Sequence, residues 1–181
     1  MTTFKLTIIL LMVGIYCNAQ KYYTRSGITE FKATEKTFEP IEATNKSSTV
    51  ILDSENGDIV AQIFIASFEF ENALMQEHFN ENYMESSLYP KGLFKGKIEN
   101  FSKNKLNDTN EFNLNGTLTI RGKEKRVSSK VNIKEVNRKL ILKTSFKIKP
   151  EDFNIEIPSI VEEKISKQIQ IKILYELIEK K

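Results

Sequence analysis

The chain has little of what most site chemistry requires. Its 181 residues include one cysteine, Cys17, one histidine, His78, and no tryptophan, with four prolines and seven glycines. A lone cysteine excludes an intrachain disulfide and any thiolate metal cluster. A lone histidine excludes multi-histidine metal sites and leaves a Ser-His-Asp triad only one residue to build on. No Gly-x-Ser-x-Gly elbow accompanies it, so the plain reading of His78 is a helix histidine bonded to backbone or solvent. Charge of one sign is also missing: 27 basic side chains face 24 acidic ones. That balance argues against nucleic acid, whose phosphates demand a concentrated basic patch. Nor is there an apolar run long enough for a membrane-spanning helix, which needs about 20 residues.

The apolar run that does exist, Leu6 to Tyr16, follows the basic Lys5 and ends in Cys17-Asn18-Ala19 before Gln20. A basic start, a short apolar stretch and a small-x-Ala site make residues 1–19 a signal peptide, placing the mature protein in a periplasm or outside the cell. Bacterial lipidation also uses a cysteine after an apolar run, but wants a small residue before it, and here that residue is Tyr16. Cleavage after Ala19 would remove Cys17 and Lys5 and leave 26 basic against 24 acidic side chains. About 160 residues without a disulfide would then form one domain, residues 20–181, that stands on its core alone.

Within that domain the dominant period is two, the mark of half-buried strands. Phe112, Leu114, Leu118 and Ile120 alternate with polar residues, with Gly116 on the apolar side. After a turn at Arg121 to Lys125, Val127, Val131 and Ile133 continue the alternation; after Asn137-Arg138, so do Leu140, Leu142, Phe146 and Ile148, up to Pro150. Ile169, Ile171, Ile173 and Tyr175 make a last strand. Upstream, Thr49 to Leu52 and Ile59 to Ile65 flank a turn containing Asn56-Gly57, and Lys91 to Phe101 and Ile28 to Ala33 supply two more strands. About eight strands on short turns predict an all-β fold, an antiparallel barrel or a sandwich. One segment breaks the rhythm: NALMQEHFNENYM, from Asn72 to Met84, places Met75, Phe79 and Tyr83 four apart and predicts one short helix capped by Asn72. Ser102 to Glu111 reads as a solvated hairpin loop, and Pro158 to Lys167 as an irregular crossing into the last strand.

Charged constellations have bland readings. Glu77, Glu81 and Glu85 recur four apart as a solvated helix face, and Arg121, Lys123, Lys125 and Arg126 as a solvated turn. Ser54 to Asp58 lacks the acidic spacing and the closing glutamate of a calcium loop. What remains is apolar and aromatic. An ordinary packed core accounts for it, and so does a barrel of about eight strands with room for one ligand; period alone does not separate the two.

Two stretches carry a resemblance. Ser67-Phe68-Glu69-Phe70, then Leu74, Met75, His78-Phe79, Tyr83-Met84 and Tyr89-Pro90-Lys91 to Phe94-Lys95-Gly96, resembles the central motif of YceI-like proteins. Leu114-Asn115-Gly116-Thr117-Leu118-Thr119-Ile120-Arg121-Gly122, continuing to Val127, looks like that family's second hairpin. The resemblance implies a lipocalin-like antiparallel barrel, exported, that encloses a lipid or polyisoprenoid-type tail and is not an enzyme. It would place Phe68 and Phe70 at the mouth, Met75, Phe79 and Tyr83 as a cover, and Phe94, Phe112, Leu114, Leu118, Phe146 and Tyr175 along the wall. His78 falls on the family's histidine position and would make a polar contact. No cofactor or metal is implied beyond a bound isoprenoid or quinone-like lipid; a homodimer stays open. The alternative is a ligand-free barrel acting through other proteins.

Overall fold

The computed structural model describes residues 21–34, 40–107 and 110–180; residues 1–19, read above as a signal peptide, and Cys17 with them, lie outside these. Eight strands close into an antiparallel barrel in chain order: β1 (Lys21–Lys32), β2 (Glu42–Asp53), β3 (Asp58–Phe64), β4 (Lys91–Ile98), β5 (Glu111–Ile120), β6 (Lys123–Val136), β7 (Lys139–Ile148) and β8 (Ile169–Glu179). β8 pairs back onto β1, from Phe31 opposite Ile171 to Tyr22 opposite Glu179, so no sheet edge is left open.

Turn chemistry sets the registers. Arg121 and Gly122, at φ 46° and 69°, and Asn137 and Arg138, at φ 50° and 62°, form two-residue turns with both residues left-handed. Their backbone twist matches that of the strands they join. The first turn is tighter than expected, because Lys123 already belongs to β6. Between β2 and β3, Asp53 Oδ1 accepts from Glu55 N at 3.0 Å and Gly57 N donates to the Asp53 carbonyl at 3.0 Å. Gly57 sits at φ 79°, where a Cβ would run into the carbonyl of Ile98.

Four segments differ from the sequence reading. β1 and β2 begin well before Ile28 and Thr49 because their alternation slips: the register shifts on both sides of Gly27, and the inward residues include Thr24, Thr29, Asn45 and Ser48. A bulge and buried polar side chains hide a period of two. β8 runs on past Tyr175, the last residue read into it, to Glu179 and buries Leu177. The 102–111 connection is no freely solvated loop. Residues Lys103–Asn107 form a 3-10 turn whose Leu106 packs on the core beside buried Phe101. Lys103 Nζ donates to Tyr22 Oη at 2.9 Å and pairs with Glu135 at 2.9 Å.

The expected helix is present, with Asn72 as its cap: its Oδ1 accepts from Leu74 N at 2.9 Å and from Met75 N at 3.2 Å. Helix α1 (Ala73–His78) continues as a π turn over Phe79–Tyr83. Pro158 to Lys167 is the irregular crossing expected, tied down where Ser166 N donates to the Ala33 carbonyl at 2.6 Å.

The core is in two parts. One end of the barrel is filled by Tyr22, Val50, Leu52, Ile98, Phe101, Phe112, Ile133, Leu140 and Leu177 among others, with Phe101 and Phe112 edge to face at 5.4 Å. At the other end, Phe31, Ala33, Ala43 and Phe68 form a separate cluster with Phe70, Phe79, Ile165, Ile169 and Ile171 against it. The site lies between them.

Candidate ligand cavity

Between the two clusters lies a cavity of about 670 Å3, well within the range of small-molecule sites. Its floor is the top of the filled end: Ile59, Ala61, Ile98, Leu114, Val131, Leu142 and Tyr175. Its wall is built from inward positions of β4 to β8, with Phe94, Leu118, Val127, Phe146, Ile148, Ile171 and Ile173 among them. Its cover combines Met75, Phe79, Tyr83 and Met84 from the helical segment with Ile155, Ile157, Val161 and Ile165 from the crossing before β8.

Aromatic packing builds the mouth. Phe31 stacks on Phe79 with centroids 5.2 Å apart and meets Phe68 and Phe70 edge-on at 5.4 and 5.6 Å. Phe79 also reaches Phe70 at 5.1 Å and Phe68 at 5.7 Å. The segment after β3 is held for this by reciprocal backbone bonds between Thr44 and Glu69, at 3.1 and 2.9 Å. At the opposite wall, Phe94 lies against the facing pair Gly96 and Gly116. A Cβ on Gly116 would stand 2.5 Å from Phe94 Cζ and 2.6 Å from the Lys95 carbonyl oxygen. The missing side chains let the ring lie flat on the sheet and out of the lumen.

A clasp fastens the end of the cover. Arg121 pairs with Glu85 at 2.6 Å, donates to the Asn154 carbonyl and lies over the Tyr89 ring at 5.9 Å. Its side chain keeps only 16% of its exposure, so it does not belong to a solvated turn, and Glu85 leaves the solvated glutamate row. Lys125 likewise pairs with Asp152 at 2.8 Å. Glu77 and Glu81 are exposed, as expected.

Of the residues singled out from sequence, Phe68, Phe70, Met75, His78, Phe79, Tyr83, Phe94, Leu114, Leu118, Phe146 and Tyr175 all line the cavity. Phe112 does not. It is buried beneath the floor against Phe101, because its position on β5 falls one inward step past Leu114 toward the filled end. Sequence reasoning missed Phe31, the centre of the mouth cluster, whose strand was read without a binding role, and the crossing residues Ile155 to Ile165. The apolar spacing of Ile155, Ile157, Val161 and Ile165 was a usable signal. His78 and Lys164 are the basic residues of the lining, both exposed. Deeper in, the polar groups are hydroxyls. Burial pushes the Tyr175 phenol above its ordinary value of 10.0, partly offset by hydrogen bonds from Thr29 and Ser48. Among the described residues no cluster of three or more His, Cys, Asp or Glu could hold a metal ion, and no helix is long and apolar enough to cross a membrane.

The YceI-like domain model matches residues 21–177, all eight strands but the last two residues of β8. The chain belongs to the YceI-like family. Solved structures similar to this YceI-like chain include a polyisoprenoid-binding domain from Saccharophagus degradans, 11% identical, with a TM-score of 0.73 over 90% of this chain and 99% of that one. BcnA of Burkholderia cenocepacia is 20% identical, with a TM-score of 0.67 over 83% of this chain and 94% of its own. The Campylobacter jejuni YceI protein is 21% identical, with a TM-score of 0.64 over 82% and 90%. At these identities the likeness is one of fold. No curated protein matches the chain.

Proposed function

We propose that this protein binds a lipid or another long apolar molecule inside its barrel, and sequesters or carries it in a periplasm or outside the cell. The observation that carries the reading is the cavity: about 670 Å3, walled by aliphatic and aromatic side chains, with its basic lining residues, His78 and Lys164, on the exposed rim. Such a space binds by burial. Each methylene moved out of water contributes about 0.8 kcal/mol, so a long chain needs no ionic anchor. The Saccharophagus degradans relative is described as a polyisoprenoid binding domain, which supports an isoprenoid or quinone-like ligand. The cavity-lining residues named above, His78 among them, are the proposed contacts.

The runner-up, a close-packed barrel that works only through protein partners, is disfavoured by the same volume, since a filled interior leaves few voids larger than a water. Native mass spectrometry with organic extraction, on protein purified from a periplasm, tests the choice. A stoichiometric co-purified lipid is the expected result. A clean protein mass that persists after incubation with quinones and polyprenyl lipids would overturn the carrier reading.

A further inference from the structure

Three buried hydroxyls meet at the cavity floor. Thr29 on β1, Ser48 on β2 and Tyr175 on β8 are 5%, 0% and 4% exposed. Thr29 Oγ1 lies 2.9 Å from Ser48 Oγ and 2.9 Å from Tyr175 Oη. The β1 bulge at Gly27 brings them together: a Cβ there would stand 2.5 Å from Tyr175 Cδ1, so the bare backbone lets the ring lie on β1 and reach Thr29. Thr29 and Tyr175 line the cavity, with Ser48 behind them.

As packing alone the arrangement has no evident advantage. Replacing bonded partners by apolar groups of the same shape is close to neutral, and valine, alanine and phenylalanine would fill these positions. Yet the hydroxyls stand at the one depth where the filled end meets the lumen. Each can donate or accept, so the set can rotate to serve either a carbonyl or an alcohol. The charged lining residue Lys164 is at the rim, and a carboxylate or phosphate reaching the floor would lose its hydration with no cation to meet it.

We propose that Thr29, Ser48 and Tyr175 form a receiving site for a neutral, oxygen-bearing head group, an alcohol or a carbonyl. The ligand enters polar end first, and its hydrocarbon tail runs along the wall to the aromatic mouth. This rests on the cavity being a ligand site, and the test separates the two ideas.

The purified protein is titrated with a matched fifteen-carbon series, farnesene, farnesol and farnesoic acid, by displacement of the neutral dye N-phenyl-1-naphthylamine, alongside Tyr175→Phe and Thr29→Val. Farnesol is expected to bind about tenfold more tightly than farnesene, the worth of one buried hydrogen bond, and more tightly than the ionised acid. Either substitution should abolish the ratio, so that farnesol and farnesene bind alike to the same variant, whatever the variant's affinity for the hydrocarbon. Equal binding of alcohol and hydrocarbon by the unaltered protein would overturn the head-group site and leave the cavity reading standing. So would a preference that survives both substitutions, or an acid that matches the alcohol. Failure of all three compounds to displace the dye or to bind would overturn both. The comparison within the unaltered protein decides the matter even if a variant fails to fold.

Discussion

A ligand held by burial should be measured by length, and the structure sets the length. At about 30 Å3 per methylene-sized group, the share of one water in the liquid, a cavity of about 670 Å3 takes on the order of twenty carbons. Along a series of saturated neutral alcohols each added methylene should tighten binding about fourfold. The gain should fade near that length, when further carbons stay at the mouth. Ala61 allows the length to be moved. It is 8% exposed, lines the cavity from β3, and faces Val50 and Phe94 across its two ladders. Ala61→Phe adds six ring carbons to the lumen, so the plateau should fall by about six carbons. Because the ring grows from the floor into the open lumen, the cost to stability should stay near the low end of overpacking, about 1 kcal/mol. The assay is dye displacement with alcohols presented from cyclodextrin, and urea unfolding is the control. A plateau at the same length in both proteins, or affinity that climbs well past twenty carbons, would refute the volume argument.

Gly116→Ala should destabilise the barrel by about 1–3 kcal/mol, because its Cβ would stand 2.5 Å from Phe94 Cζ and 2.6 Å from the Lys95 carbonyl oxygen. The urea midpoint should fall with an unchanged slope, and the plateau should shorten as the Phe94 ring leaves the wall; an unmoved midpoint would contradict the contact. Alkaline pH should separate Tyr175 from the rest of the protein. Its phenol is held above 10.0 by burial, so its contribution is complete below about 10 and is lost as pH rises through the higher folded value, where the unfolded chain has already given up the proton. Lys103, raised by its hydrogen bonds to Tyr22 and Glu135, loses its contribution in the same alkaline direction, so the comparison is with Tyr175→Phe. Its stability should decline less steeply above pH 10, and identical pH profiles would count against a buried phenol.

Much of the barrel was legible because each strand carries its own evidence. From β5 to β7 the alternation is unbroken and the turn residues are plain, and Asn72 announces the helix that follows it. Legibility failed where a residue's role depends on a partner far along the chain. Thr29 and Ser48 look like breaks in a pattern until Tyr175, 146 residues beyond Thr29, closes over them. Phe31 gains its place from Phe68, Phe70 and Phe79, and Arg121 from Glu85 and Asn154. Gly96 and Gly116 read as weak points in two strands, and only their direct opposition gives the Phe94 ring its bed.

By itself, then, the sequence determined which side chains face inward wherever the period of two is plain, as along β5 to β7, and which family its motifs resemble. It did not determine how far those side chains fill the space they face. Inward residues alternate in the same way in a solid barrel and in one with a lumen. The difference arises only on closure, when strand tilt and register decide which residues share a level. At one end Tyr22, Phe101, Phe112 and Leu177 meet and pack. Farther up, Gly92, Leu118, Val127, Ile171 and Ile173 line the wall and leave about 670 Å3 between them.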